Sequence, residues 1–283
     1  MDDRSQRSAP EERDGLPPFS RGLHRWFMAY VRRSMRRHFH ALRILSDVPG
    51  TGAWPDLGDE PVIFYTNHPG WWDPLVFFTV ADTLWPGRMN YGPIDAAALE
   101  KYRFLGRIGL VGIEPGTRRG AAAFLRAARA AGRRGDVIFW ITAQGEFADP
   151  RVRPVVLRPG VAHAAAANER GVIVPVAVEY PFWSERLPEA LVAFGAPLPM
   201  GTADGADTGD WERRLASGLA ETQDRLAAAA CKHDPAIFTT LLAGEVGVGT
   251  AYDALRRVRA WWRGERFDPS HGGEERASRG GVR

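Results

Sequence analysis

One cysteine, Cys231, stands in the 283 residues, so no internal disulfide can form and no zinc site of the paired-cysteine type can be assembled. A reducing compartment is the expected setting. Lysine is nearly missing too: of 37 basic residues only Lys101 and Lys232 are lysines. The chain therefore meets anions with guanidinium forks, which suit phosphate groups, acidic lipid or nucleic acid. No apolar run reaches the roughly 18 uninterrupted residues that a spanning helix needs, so membrane contact is expected to be peripheral. Residues 1–21 are polar, with Pro and Gly, and lack the apolar stretch of a signal peptide; they read as a flexible tail, and export is not expected. RNP-like aromatics and Gly-rich nucleic-acid modules are also wanting, so arginine content alone does not argue for DNA or RNA.

What is present argues for a globule. Hydrophobic residues make up 45% of the chain and charged residues 25%, with 10 Trp and 14 Phe, which excludes a disordered or collagen-like polymer. Short apolar runs alternate with helical stretches. Strands are expected at Val62–Thr66, Arg88–Tyr91, Leu110–Ile113, Val137–Ile141, Val172–Val178 and Leu191–Phe194. Helices are expected at Pro74–Leu84, Ala96–Tyr102, Arg118–Gly132, Gly160–Glu169 and Asp210–Ala230. The alternation predicts an α/β fold, a single twisted mixed β-sheet flanked by helices.

The two ends of the domain are basic and aromatic. From Gly22 to Leu45 apolar residues, among them Trp26, Phe27, Tyr30, Val31 and Met35, recur at three- and four-residue steps, while Arg25, Arg32, Arg33, Arg36, Arg37 and Arg43 fill other positions with no acid among them. This predicts an N-terminal amphipathic helix over 22–45, suited either to anionic lipid or to packing on the core with a solvated basic back. The organisation is thus a tail at 1–21, a domain at 22–245, and a basic helix with a loose tail at 246–283, where Trp261 and Trp262 stand among arginines.

Chemistry concentrates at Val62–Pro74, where an apolar strand runs into Asn67-His68 and Pro69-Gly70 forces a turn. Asp73-Pro74 has the form of a helix cap and first helical residue. The turn allows the Asp73 carboxylate to fold back on the His68 ring, fix its tautomer and leave the other nitrogen as a general base. Taken alone, the pair is equally a helix cap and a loop histidine. No GxSxG elbow accompanies it, so the base is expected to act on a substrate hydroxyl directly. His38 and His40 lack a matching carboxylate pattern, and no metal is expected.

The stretch 67–73, Asn-His-Pro-Gly-Trp-Trp-Asp, resembles the HX4D motif of the lysophospholipid acyltransferase family, the group that includes bacterial 1-acyl-glycerol-3-phosphate acyltransferases. Three further blocks follow in the family's order: Gly109–Glu114, Phe139–Glu146 and Val172–Val178, so that the resemblance covers about residues 60 to 200. It implies a glycerolipid acyltransferase-like fold, with His68 as base on the acceptor hydroxyl and Asp73 as its orienting partner. The hydroxyl would attack the thioester of acyl-CoA or acyl carrier protein, both co-substrates, with no cofactor and no acyl-enzyme. A thioester is already activated, so alignment, deprotonation and stabilisation of the oxyanion suffice.

Departures from the family pattern bear on the acceptor. The third block ends in Gln144-Gly145-Glu146 where many members carry Glu-Gly, and the second has Glu114-Pro115 in place of the frequent Asp-Arg, so the usual phosphate-binding arginine is missing. Arg151, Arg153 and Arg158 could clamp an anion by forked hydrogen bonds, or solvate a loop and a helix start. The expected substrate contacts are Asn67, Gln144, Gly145, Glu146, Arg151, Arg153 and Arg158. The default acceptor is a lysophospholipid; a glycolipid or carotenoid glycoside, thioester hydrolysis, or a non-catalytic membrane adaptor are alternatives. The expected location is the cytoplasmic side of the cell membrane, against an anionic surface.

Overall fold

The computed structural model describes residues 15–49, 57–201 and 207–244. Along the chain lie α1 (Arg21–His38), β1 (Ala41–Leu45), β2 (Val62–Thr66), α2 (Asp73–Leu84), β3 (Met89–Asp95), α3 (Ala96–Lys101), β4 (Leu110–Ile113) and α4 (Arg118–Ala131). There follow β5 (Val137–Thr142), α5 (Pro159–Ala166), β6 (Val172–Glu179), β7 (Glu189–Phe194), β8 (Leu198–Pro199), α6 (Thr208–Ala230) and β9 (Phe238–Ala243), with 3-10 turns at Arg103–Ile108 and Pro235–Ile237.

The strands form one mixed nine-stranded sheet in the order β4-β3-β5-β2-β6-β7-β1-β9, with β8 beside β6. The run from β4 to β6 is parallel, β7 is antiparallel to β6, and β1 lies parallel to β7. β2 is central, and all five of its residues are buried, as expected of a parallel strand covered on both faces. Its alternate residues sort into two cores. Val62 and Phe64 join Ile138, Trp140, Val174 and Val176 under α1 and α2, whereas Ile63 and Tyr65 join Val137, Phe139 and Ile141 under α4, α5 and α6. The result is three layers, helices on both faces of a sheet. The carboxyl ends of β3, β5, β2 and β6 consequently open on one edge, where ligands of such sheets usually bind.

Two expectations about the N-terminus need correction. The helix expected over 22–45 stops at His38, and Ala41–Leu45 is a strand between β7 and β9. Phe39 leaves the helix with extended backbone (φ −124°, ψ 144°), and the partners that hold β1 extended come from residues 189–192 and 238–243. Helical spacing within residues 39–45 could not reveal them. The tail expected through residue 21 is packed from residue 16 onward: Leu16 is buried and Pro17 accepts a hydrogen bond from the Tyr91 hydroxyl. The basic helix expected after residue 245 lies outside the described residues.

The burial of α1 divides its apolar residues. Met28, Val31 and Met35 enter the core, and Arg32 donates to Asp82 of α2 at 2.7 Å, with His24 Nε2 3.4 Å from the same carboxylate. Those two partners, the His24 hydrogen bond first, hold the Asp82 carboxyl below its ordinary range. Trp26 and Tyr30 instead point outward beside Arg25, Arg33, Arg36 and Arg37. Among the described residues no helix is long and apolar enough to cross a membrane.

Candidate active site

β2 hands the site its frame. Its last backbone partners are Thr142 of β5 on one side and Val176 of β6 on the other. Beyond Thr66 the Asn67 side chain continues the ladder: its Nδ2 donates to the Val178 carbonyl at 3.0 Å and its Oδ1 accepts from the Val178 N–H at 2.8 Å. Asn67, expected among the substrate contacts, is fully buried with its amide occupied on both sides by Val178, and it anchors the residue that follows.

His68 is pinned through its own backbone. Its N–H donates to Gln144 Oε1 at 3.0 Å, and its carbonyl accepts from Ala148 N at 3.0 Å. The loop after β5 thus holds both sides of the His68 peptide. The imidazole Nδ1 lies 2.5 Å from Asp73 Oδ2. Since an ionised carboxylate only accepts, this contact assigns the proton to Nδ1 and leaves the Nε2 lone pair free. The side chain is 18% exposed, and the exposed Phe147 ring stands 4.5 Å from the imidazole.

Asp73 does not cap α2. The cap position is Trp72, without a side-chain hydrogen bond, and Asp73 is the first residue of the helix. Its carboxylate is fully buried and turned to the turn below, where it accepts from His68, from Gly70 N at 3.2 Å and from the Tyr180 hydroxyl on the other oxygen. Placement in the first turn sets the carboxylate at the positive end of α2. Burial and the facing Asp73 charge push the Tyr180 phenol well above its ordinary range, so it donates and does not ionise. Sequence reasoning missed Tyr180. It stands 107 positions from Asp73, immediately after β6, and no local pattern marks it.

The third block forms the wall beside His68. Gly145 adopts φ +69°, and a Cβ there would fall 2.8 Å from Arg158 Cγ, so the backbone turns under the arginine side chain. Arg158 Nε donates to the Gln144 carbonyl at 3.3 Å, and its guanidinium lies 4.0 Å from Glu146. Both of those side chains are exposed, so their pairing counts for little. Gln144, Gly145, Glu146 and Arg158 are therefore gathered near His68, with Gln144 acting through its oxygen on the backbone. Arg151 and Arg153 are committed elsewhere. Arg151 forks onto Asp149 at 2.8 and 2.6 Å and holds that exposed carboxyl far below its usual range, while Arg153 pairs with Asp224 of α6. The expectation that these two clamp substrate is not met by their present partners.

An apolar cavity of about 50 Å³ is lined by Pro74, Phe77 and Phe78 of α2 and by Tyr91, Trp140 and Thr142 of β3 and β5, among others. Pro74 follows Asp73, and Thr142 pairs with Thr66, so the cavity adjoins the histidine turn. Such a surface takes hydrocarbon. Among the described residues no group of three His, Cys, Asp or Glu side chains stands close enough to hold a metal ion. No family model matches the chain, and no curated protein matches it.

Proposed function

We propose that the chain is an O-acyltransferase of the lysophospholipid acyltransferase type, moving a fatty acyl group from an acyl-CoA or acyl carrier protein thioester to the hydroxyl of a lipid. One observation carries this: the hydrogen-bonded His68–Asp73 pair leaves the second imidazole nitrogen without a partner among the described residues, and Pro74, the residue after Asp73, lines an apolar cavity. The acceptor hydroxyl gives its proton to His68 Nε2 as its oxygen attacks the thioester carbonyl. The tetrahedral oxyanion then collapses, the C–S bond breaks, and the imidazolium returns the proton to the departing thiolate. No protein nucleophile is required. Cys231, the one thiol, is exposed at the far end of α6.

The default acceptor is a lysophospholipid such as 1-acyl-glycerol-3-phosphate. A neutral hydroxylated lipid, a glycolipid or carotenoid glycoside, is favoured by a specific observation: Arg151 and Arg153 are paired with Asp149 and Asp224, which leaves Arg158 as the arginine nearest the Gln144–Glu146 turn. The outward face of α1, with Trp26 and Tyr30 set among arginines, supports peripheral binding to an anionic bilayer, on the inner side of the cell membrane.

The test is thiol release and lipid-product mass spectrometry with purified protein, acyl-CoA and a panel of phosphorylated and glycosylated acceptors. Transfer should vanish in His68→Ala with thermal stability retained. Near-normal turnover by that variant would end the proposal. Thiol release that needs no acceptor would indicate hydrolysis, and inertness toward every acceptor a non-catalytic adaptor.

A further inference from the structure

We infer that Tyr180 is a positioning residue of the site, acting on His68 only through Asp73: its hydroxyl takes up part of the carboxylate's charge and holds Oδ1 so that Oδ2 faces the imidazole. This rests on the acyltransfer reading above for its consequence in the reaction, but its physical content concerns three side chains alone.

The carboxylate of Asp73 is fully buried, and among the described residues no lysine or arginine is paired with it. A buried anion in that position needs donors. Among the described residues three serve: the His68 Nδ1–H and the Gly70 N–H on Oδ2, and the Tyr180 hydroxyl on Oδ1. Among the described residues Tyr180 is the donor to Oδ1, and it comes from beyond the turn, from the residue that follows β6. Its ring is fixed by packing, 5.5 Å from the Phe39 ring, and it lies against Gly70, where a Cβ would stand 3.9 Å from its Cε2. Phe39 in turn meets Trp72. Tyr180 also follows Val178 by two residues, and Val178 is clamped by Asn67, the neighbour of His68. The base and the donor behind its carboxylate are thus tied to the same junction of β2 and β6.

An unshared negative charge 2.5 Å from an imidazole favours the imidazolium, which cannot accept a proton. Dividing that charge with a phenol that does not ionise weakens the pull and keeps the base available at lower pH. Among the described residues, the ionisable groups on the neighbouring elements are Glu146 and Arg158 on the loop after β5, Glu179 just before Tyr180, and His38, which packs on Trp72.

Tyr180→Phe keeps the ring and removes the donor. The acid limb of the kcat/KM profile should move to higher pH by about half a unit to one unit. Rates on the acid side should fall by about three- to ten-fold. A purely structural tyrosine would lower the rate at every pH without moving the limb. Following the His68 Cε1–H signal by NMR reads the same displacement with no substrate present. A signal that titrates at the same pH or lower in Tyr180→Phe overturns the inference, even if acyl transfer is established. Should the signal move upward while no acceptor is ever acylated, the charge sharing stands and the acyltransfer reading fails.

Discussion

Asn67 and Val178 exchange two hydrogen bonds, 3.0 and 2.8 Å, across the point where β2 ends and β6 continues. A side-chain amide here stands in for one more rung of backbone ladder, and the rung carries His68 on its next residue. Asn67→Ala strands a buried N–H and a buried carbonyl of Val178, at a cost of about 1–3 kcal/mol for each unsatisfied group. A melting-temperature drop of several degrees is expected, together with a loss of turnover larger than the loss of folded protein. Calorimetry beside an active-fraction assay at the same temperature measures both; unchanged turnover per folded molecule would mean that the clamp does not position His68.

Asp73→Asn presents an amide to an imidazole that now lacks a fixed tautomer. From the effect of the same exchange on other histidine–aspartate pairs, kcat should fall by about 10³- to 10⁴-fold. Binding of acyl-CoA should be little altered, because the carboxylate is buried behind the ring. Single-turnover kinetics with separate measurement of acyl-CoA affinity would show the division.

The arginines near the site differ in their commitments. Arg151→Ala removes an exposed pair with Asp149 and should change acceptor KM by less than about two-fold. Arg158→Ala takes away the side chain that covers the Gly145 turn, and should raise acceptor KM several-fold. If Arg151→Ala proves the more damaging with a phosphorylated acceptor, then Asp149 gives up its partner to substrate.

For the membrane, co-sedimentation with vesicles should increase with the fraction of anionic lipid and weaken as salt is raised. Arg33→Glu/Arg37→Glu on the outer face of α1 should weaken that binding by about ten-fold or more, at about 1 kcal/mol per basic residue near the surface. Trp26→Ala/Tyr30→Ala should reduce affinity for neutral vesicles as well. Binding insensitive to both pairs would assign this face of α1 to solvent.

How much of this was legible in residue order can be judged from particular elements. Four of the five parallel strands, β2, β4, β5 and β6, stood out as short apolar runs, whereas β3 (Met-Asn-Tyr-Gly-Pro-Ile-Asp) was expected only over its first residues; β2 needs no distant information to be recognised as buried on both faces. β1 did not stand out, since its five residues continue the spacing of α1 and only Glu189–Val192 and Phe238–Ala243 hold them extended. β9 was missed for a different reason, being an edge strand without a helix-flanked pattern of its own.

At the site, the residue types and spacing of His68, Pro69, Gly70 and Asp73 indicated a turn across which a histidine and a carboxylate could fold together, because a five-residue loop is a local object. Whether Asp73 would cap α2 or face the imidazole was settled by the tertiary structure, where Gly70 and Tyr180 supply the donors that hold it in the second role. The same holds for the arginines. Their charge is written in the sequence, but what each one neutralises depends on Asp149 beside one and Asp224 on another helix beside the next. Side-chain partners set by long-range packing decide which groups remain free to meet a ligand, and no local pattern encodes that.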